Sequence, residues 1–166
     1  MNRGVFVEDV LYMRKALELA KECAGSGDVP IGAIVVRDSD GEILGRGKNT
    51  REAKGKASGH AEINAIEEAC EKISSWRLSG CTLYVTLEPC PMCAGACINS
   101  RIDRVVFALK DAKAGAFGSV MNMNSYPLNH KVNITCGVCE KEALELLRSF
   151  FIKKREESAK NKTNGR

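Results

Sequence analysis

The strongest constraint on this sequence comes from two short motifs, His60-x-Glu62 and Pro89-Cys90-x-x-Cys93. The first opens a predicted helix, and the second lies where a predicted strand gives way to the next helix. Two cysteines at this spacing across a helix start can both point at one ion, because the second comes round one helical turn later. A helix N-terminus also favours the thiolate form of cysteine. Any fold for this chain therefore has to accommodate a candidate metal site of one imidazole and two thiolates.

Zinc is the metal that this ligand set predicts. A tetrahedral zinc with three protein ligands keeps a fourth position for water, which is the arrangement of a catalytic site and not of a closed structural one. Two thiolates cancel the charge of Zn²⁺, so the water should be acidified less than in an all-histidine site and needs help from a base. Glu62 lies two residues after His60 and can take that proton. The two motifs together predict a hydrolytic deaminase with Glu62 as proton shuttle.

Other interpretations are open when the cysteine motif is taken alone. A cytosolic Cys-x-x-Cys is often a redox pair or half of a structural zinc knuckle. Glu62 favours a catalytic zinc site over these alternatives, because neither a redox protein nor a non-catalytic zinc or thiol module needs a carboxylate beside the metal. A second pair, Cys136-x-x-Cys139, has no His or carboxylate partner in its pattern. The cysteines outside the site are interpreted as small buried hydrophobes: Cys23, Cys70, Cys81, Cys97, Cys136 and Cys139.

Size and composition favour a single domain in a reducing compartment. The chain has 166 residues, 44% of them hydrophobic, which suits one ordinary globular core. Its 8 cysteines fall below the share of roughly 8 to 10% that marks a disulfide scaffold. The first residues lack a secretory apolar region, and no stretch approaches the roughly 18 apolar residues of a membrane span. We therefore expect a soluble cytoplasmic protein with free or metal-bound thiols.

Hydrophobic periodicity predicts strands that alternate with helices. The alternation indicates an α/β sandwich with helices on both faces of one sheet. The predicted helices are Val10–Cys23, His60–Ile73, Met92–Ile98 and Glu140–Arg155. The predicted strands are Val29–Val36, a partner that begins at Ile43, Cys81–Leu87, Arg104–Leu109 and Val132–Thr135. A Gly-rich turn is expected at Ala112–Gly118.

The net charge of +4 conceals two basic segments. Arg46–Lys56 carries five cations against one Glu, a net +4, and is predicted to be a loop able to touch an anion. Arg148–Arg166 carries seven cations against two Glu, a net +5. The rest of the chain is acidic. We expect a domain over residues 1–155 and a basic, disordered tail over residues 156–166.

Around the two motifs the sequence resembles the cytidine deaminase-like zinc superfamily, whose signature is His-x-Glu with Pro-Cys-x-x-Cys. Within that superfamily it is similar to the bacterial tRNA-specific adenosine deaminases, and the similarity covers Tyr12 to Arg155. The stretches that carry the similarity are Val29–Ala33, Asn49, Leu83–Gly118, Asn129-His130, and Phe150-Phe151 with Arg155. One departure is Ala57-Ser58-Gly59, where related enzymes have Pro-Thr-Ala before the zinc histidine.

The resemblance implies a homodimer of three-layer α/β/α domains around a mixed five-stranded sheet, converting adenosine to inosine at wobble position 34 of a tRNA anticodon. It implies one Zn²⁺ per subunit and assigns roles to nine residues. His60, Cys90 and Cys93 would bind zinc, Glu62 would shuttle protons, Asn49 would hydrogen-bond the flipped base, Asp111 and Lys113 would lie near neighbouring nucleotides, and Phe151 and Arg155 would lie near the exit of the anticodon loop. Structural alternatives are a turn residue at Asn49 and a core contact at Phe151.

Two features favour an RNA substrate over a free base. Anticodon-loop bases are unpaired, so one can be splayed out at little cost for attack at C6. The Asp111–Gly118 segment and the basic tail also argue against the main alternative, a zinc-dependent deaminase of a free base or nucleoside such as guanine or cytosine. Basic residues alone are a weak signal, because a solvated helix face carries similar charges.

Overall fold

Five strands form one mixed sheet in this computed structural model, which describes residues 7–163. The sheet order is β2-β1-β3-β4-β5, with β1 antiparallel to both its neighbours and β3, β4 and β5 parallel to one another. The strands are β1 (Gly32–Arg37), β2 (Ile43–Lys48), β3 (Cys81–Leu87), β4 (Arg104–Leu109) and β5 (Asn133–Cys136). The helices are α1 (Val7–Lys21), α2 (Arg51–Lys54), α3 (Ala61–Ile73), α4 (Pro91–Asn99) and α5 (Glu140–Thr163), with 3-10 turns at Glu22–Gly25 and Met123–Ser125.

Each face of the sheet has its own hydrophobic core. The near-continuous apolar run of β1 sends Ala33 and Val35 into the core under α3 and α4. Ile34 and Val36 alternate into the opposite core, against α1 and α5. Burial on both faces is the reason why this strand shows no polar alternation. The predicted three-layer α/β/α sandwich with a mixed five-stranded sheet is confirmed.

Glycines let α3 approach β2 closely, and they explain one wrong prediction. A Cβ added at Gly45 or Gly47 would lie 2.0 Å from a carbonyl oxygen of α3. Because the inward positions of β2 are glycines, its sequence shows no apolar alternation, and Arg46–Lys56 reads as a loop. In the structure Arg46–Lys48 completes β2, and Arg51–Lys54 forms the short helix α2.

Helix α5 extends beyond its predicted end at Arg155. It continues to Thr163, so the expected disorder of the tail is wrong for residues 156–163, and residues 164–166 lie outside the described residues. No Gly or Pro interrupts the sequence from Glu140 to Thr163. Glu156 and Glu157 also stand three or four residues from Lys153 and Lys160, a spacing that stabilises a helix.

The interpretation of the remaining cysteines as buried hydrophobes holds for Cys23, Cys81 and Cys97. Cys70 and Cys139 are only half-buried. Cys136 is exposed, so the interpretation is wrong there. Cys136 ends β5, the edge strand of the sheet, where a side chain can face solvent instead of a core.

Two helix starts meet the carboxyl ends of two parallel strands at one edge of the fold. β3 ends at Leu87 and β4 at Leu109, and the Glu88 N–H donates to the Leu109 carbonyl at 2.8 Å.

In residues 7–163, no helix is both long enough and apolar enough to cross a bilayer.

Candidate active site

The imidazole and the two thiols predicted to bind a metal lie together. His60 is the N-cap of α3 and Cys90 is the N-cap of α4, and Pro91 fixes the first residue of α4. The backbone is extended at both caps, and the two side chains lie close to each other. His60 Nδ1 lies 3.6 Å from Cys90 Sγ and 3.4 Å from Cys93 Sγ. The three ligand atoms all lie within 4.8 Å of one another.

The pKa values of the two thiols are shifted in opposite directions. Hydrogen bonds, first from Cys93 and then from His60, lower the pKa of Cys90 to about 4. The pKa of Cys93 is raised well above its usual range by its hydrogen bond to Cys90 and by burial. The Cys90 thiolate raises the pKa of His60. A bound cation would favour the thiolate form of both sulfurs.

Glu62 is a buried carboxyl group two residues inside α3. Its side chain is only 4% exposed, and burial raises its pKa to about 7. It lines a cavity of about 370 Å³ together with His60. A carboxyl with this pKa can both accept and release a proton near neutral pH, as a general acid–base must.

The cavity has the size of a small-ligand site, and residues from several elements line it. The lining residues are Gly27, Asp28, Val29, Ile31, Asn49, Arg51, Glu52, His60, Ala61, Glu62, Leu87, Asp111, Lys113 and Lys154. Of the substrate contacts expected from the sequence, Asn49, Asp111 and Lys113 are among them. The sequence patterns do not indicate Asp28, and they assign Lys154 no role at this cavity. They predict Arg51 only as one cation of a basic segment able to touch an anion.

Asn49 lines the cavity but also holds the local backbone. It is 8% exposed, its Nδ2 donates to the Val29 carbonyl at 3.2 Å, and its Oδ1 accepts from the Arg51 N–H at 3.2 Å. The two interpretations of Asn49, base contact and turn residue, are therefore compatible. Asp111 is similar, since its Oδ1 accepts from the Lys113 N–H at 2.9 Å and so fixes its own turn.

Asp28 anchors the wall of the cavity that α2 forms. It is fully buried and accepts from the Glu52 N–H at 2.6 Å, the Ala53 N–H at 3.2 Å and the Ser26 hydroxyl at 2.9 Å. The sequence does not reveal this role, because the two backbone N–H groups that Asp28 holds lie more than twenty positions away.

The segment before His60 is closed by backbone hydrogen bonds despite its departure from the related motif. Thr50 N–H donates to the Gly59 carbonyl at 2.8 Å, and His60 N–H donates to the Ser58 carbonyl at 2.8 Å. Gly59 is buried, and a Cβ there would lie 3.1 Å from the Arg51 nitrogen. The Ala57-Ser58-Gly59 sequence therefore still delivers His60 in a defined, hydrogen-bonded turn.

Phe151 and Arg155 do not reach this cavity. They lie on α5 beside a second hollow of about 420 Å³ with Lys154, Ser158 and Ala159. Phe151 is 44% exposed, which is more than a core residue would be. Lys154 lines both hollows, so the two are adjacent.

The fold and this cluster define a class of enzyme. A family model described as MafB19-like deaminase matches residues 7–155. The chain therefore belongs to the deaminases. Within them, the tRNA-specific adenosine deaminase of Bacillus subtilis (strain 168) is 44% identical over 156 residues, covering 92% of this chain and 96% of that protein. The chain is a member of the tRNA-specific adenosine deaminase family, as its motifs predict.

Solved structures agree with this assignment. A tRNA:A34 deaminase studied for A-to-I editing at the wobble position is 38% identical with a TM-score of 0.79, over 82% of this chain and 99% of that chain. The guanine deaminase from Nitrosomonas europaea is 26% identical with a TM-score of 0.73, over 90% of this chain and 87% of that chain. A deaminase of a free base therefore shares the fold.

Proposed function

We propose that this protein deaminates adenosine to inosine at wobble position 34 of a tRNA anticodon. The observation that carries the proposal is the position of Glu62, a buried carboxyl at a base-sized cavity, beside a cluster of one imidazole and two thiols. Arg51, Lys113 and Lys154 line the same cavity, which suits a substrate that carries phosphates.

Zinc, one ion per subunit, is the proposed metal, with His60, Cys90 and Cys93 as its ligands. A tetrahedral site with zinc bonds of about 2.0 Å to nitrogen and 2.3 Å to sulfur separates these atoms by about 3.5 Å. The separations of 3.4 and 3.6 Å between His60 Nδ1 and the sulfurs fit that geometry. When bound, zinc would act as a Lewis acid that makes water a better nucleophile at neutral pH.

Glu62 would move the protons of the reaction. Deamination joins the oxygen of water to C6 of adenine and breaks the bond from C6 to its amine, which leaves as ammonia. Glu62 would accept a proton from the water and deliver one to the departing nitrogen. Its raised pKa and its burial at the cavity support this role.

The substrate would enter as an unpaired loop nucleotide. Asn49 would hydrogen-bond the flipped base, while Asp111 and Lys113 would contact neighbouring nucleotides. Phe151 and Arg155 would lie outside the base cavity, along the path of the loop, because the hollow on α5 adjoins the cavity through Lys154. A stacked duplex would have to unpair the adenine first, which costs a few kcal/mol.

One comparison of substrates tests the function. We expect inosine from an anticodon stem-loop with adenosine at position 34, and none when the adenosine is moved to another loop position. The alternative is a deaminase of a free base or nucleoside, supported by the likeness to guanine deaminase. Turnover of guanine, cytosine or free adenosine without turnover of the stem-loop would establish that alternative. A non-catalytic zinc or thiol module would bind zinc and turn over neither substrate class.

The proposed homodimer would use the outer surface of α4 and the segment that follows β4. Exposed apolar side chains lie there: Met92, Val120, Met121, Tyr126 and Leu128. The Ala116 N–H donates to the Pro89 carbonyl at 2.9 Å, which places that segment against the start of α4. Light scattering should give twice the chain mass, and a Tyr126→Asp, Leu128→Asp double variant should be monomeric. A monomeric wild type would contradict the proposal.

We also propose a cytoplasmic location, because the thiolate ligands need a reducing compartment and the substrate would be tRNA. Fractionation of cells that express the chain should recover it in the cytosol, and recovery outside the cytosol would contradict the proposal.

A further inference from the structure

Glu88 is a buried carboxylate that none of the chemistry above uses. It is 2% exposed and stands between Leu87, which lines the cavity, and the Pro89-Cys90 pair that opens α4. A buried carboxylate without compensating hydrogen bonds would be costly. Its hydrogen-bond partners therefore indicate what Glu88 does.

Within residues 7–163, the donors that hydrogen-bond the Glu88 carboxylate all lie on one loop, residues 111–119, which follows β4. Oε2 accepts from the Asp111 N–H at 3.0 Å, and Oε1 accepts from the Phe117 N–H at 3.0 Å and the Ser119 N–H at 3.1 Å. The Ser119 hydroxyl donates to Oε2 as well. Both carboxylate oxygens are thus occupied by donors from the two ends of the same loop.

The loop is also shaped around this carboxylate. A Cβ at Gly115 would lie 2.4 Å from Glu88 Cδ and 2.6 Å from the Asp111 carbonyl oxygen. Only glycine allows the backbone at position 115 to pass so close to the carboxylate. The loop then carries Asp111 and Lys113 to the rim of the cavity.

We propose that Glu88 is a positioning residue. It fixes the loop of residues 111–119, which would contact substrate, relative to the carboxyl end of β3 and the proposed metal ligands that follow it. The proposal rests on the function proposed above, since the loop matters to catalysis only if Asp111 and Lys113 contact substrate. Glu88 itself touches no reacting group. It acts through the backbone of Asp111, because its carboxylate accepts a hydrogen bond from the Asp111 N–H.

Replacing Glu88 by Gln tests the positioning role, because a carboxylate accepts hydrogen bonds with both oxygens whereas an amide accepts them only with its single oxygen. In either orientation its NH₂ group faces at least one backbone N–H, so the loop loses a buried hydrogen bond. Such a loss costs about 1 to 3 kcal/mol, or about fivefold to a hundredfold in an equilibrium. We expect Glu88→Gln to raise KM for the anticodon stem-loop about tenfold, with kcat changed less than about threefold and zinc content unchanged.

Two further variants test the same contact without changing the charge. Gly115→Ala should displace the loop and raise KM as Glu88→Gln does, whereas Ser119→Ala removes one hydroxyl donor and should raise KM only about twofold to threefold. Glu71→Gln, at an exposed position near the end of α3, is the matched control and should leave KM unchanged.

A double-mutant cycle separates positioning from general destabilisation. If Glu88 acts by placing Lys113, then Lys113→Ala should reduce kcat/KM strongly in the wild type and only weakly in Glu88→Gln. Additive effects, or an unchanged KM in Glu88→Gln, would overturn the proposal. If Glu88→Gln does not fold, an unchanged KM in Gly115→Ala and Ser119→Ala would overturn it instead.

Hydrogen exchange gives a readout that does not depend on activity. The amides of Asp111, Phe117 and Ser119 should be protected in the wild type and should exchange faster in Glu88→Gln or Gly115→Ala, while β3 amides stay protected. Equal protection in wild type and variants would overturn the positioning role. A wild type that fails to deaminate the stem-loop would count against the proposed function alone, and the exchange result would still decide the role of Glu88 in the loop.

Discussion

His60 Nδ1 lies 3.4 Å from Cys93 Sγ, although the two residues are 33 positions apart and belong to different helices. If they share a metal, Cys93→Ala should lose zinc, because two ligands cannot hold the ion as three do. We expect well under one zinc per chain by metal analysis and no detectable inosine. Cys97→Ala is the matched control, since Cys97 is buried one turn further along α4 and should keep full zinc. Near-stoichiometric zinc in Cys93→Ala would refute the ligand assignment.

Glu62→Gln should separate metal binding from catalysis. The amide keeps the size of the side chain but cannot shuttle a proton, so kcat should fall by roughly 10²- to 10⁴-fold while zinc stays near one per chain. Glu67→Gln, exposed on the same helix, should retain full activity. An active Glu62→Gln enzyme would show that another group moves the protons.

Because Lys154 lines both hollows, we expect positive charge on α5 to strengthen binding of the stem-loop. If Lys154 contacts a phosphate, Lys154→Ala should raise KM for the stem-loop and reduce the slope of log KM against log salt by about 0.7 to 0.9. Lys141→Ala, exposed at the other end of the same helix, should change neither quantity. Removing Lys153 and Arg155 as well should flatten the salt dependence further. An unchanged slope in the triple variant would limit these residues to a role in solubility.

The sequence predicts elements well where apolar residues repeat, and poorly where geometry replaces them. β3 and β4 have the predicted bounds, because their β-branched and apolar runs end at turn residues. β2 is only partly predicted, because Gly45 and Gly47 fill its inward positions and carry no hydrophobic signal. The predicted end of α5 at Arg155 is wrong, because residues of opposite charge at helical spacing extend the helix to Thr163 without any apolar face.

At the site, the motif spacing brings His60, Cys90 and Cys93 together as expected, and their assignment as zinc ligands stays a prediction. Asp28 and Glu88 could not have been found in the same way. Most of their partners are backbone N–H groups, of helix α2 for Asp28 and of the loop after β4 for Glu88, and the residue types in a sequence do not show which backbone groups a side chain will bind. Phe151 and Arg155 lie outside the cavity because the course of α5, and not its residue types, decides which turn faces the site.

Asp28→Ala should weaken the α2 wall. It leaves the Glu52 and Ala53 N–H groups without their carboxylate acceptor, at a cost of about 1 to 3 kcal/mol in the free energy of unfolding. KM for the stem-loop should rise, because α2 carries Arg51 at the cavity. Ser26→Ala removes one hydroxyl, which contacts Asp28 and the Cys23 carbonyl, and should change both quantities much less. Urea unfolding and steady-state kinetics measure the two effects, and an unchanged KM would mean that α2 does not shape the base site.

The far end of the sheet holds a buried ion pair whose loss should affect stability without affecting chemistry. Arg104 Nη1 and Nη2 donate to the two carboxylate oxygens of Asp9 at 2.8 Å each, and the Tyr84 hydroxyl donates to Asp9 at 2.9 Å. The Asp9 side chain is 1% exposed and that of Arg104 is 14% exposed. Asp9→Asn should therefore lower the free energy of unfolding by about 3 kcal/mol, whereas Arg14→Ala, which breaks the exposed pair with Glu142, should lower it by less than about 1 kcal/mol.

Tyr84 adds a pH dependence to this cluster. Burial, and then the neighbouring Asp9 carboxylate, raises the pKa of the Tyr84 hydroxyl far above its ordinary value of 10. The unfolded chain therefore loses this proton near pH 10 while the folded chain keeps it, so the stability that Tyr84 contributes is full below pH 10 and falls above it. The wild type should lose up to about 1.4 kcal/mol per pH unit more than Tyr84→Phe does above pH 10. Parallel urea unfolding of the two proteins from pH 8 to 11 measures the difference. Equal slopes would show that Tyr84 ionises as easily in the folded protein as in the unfolded chain.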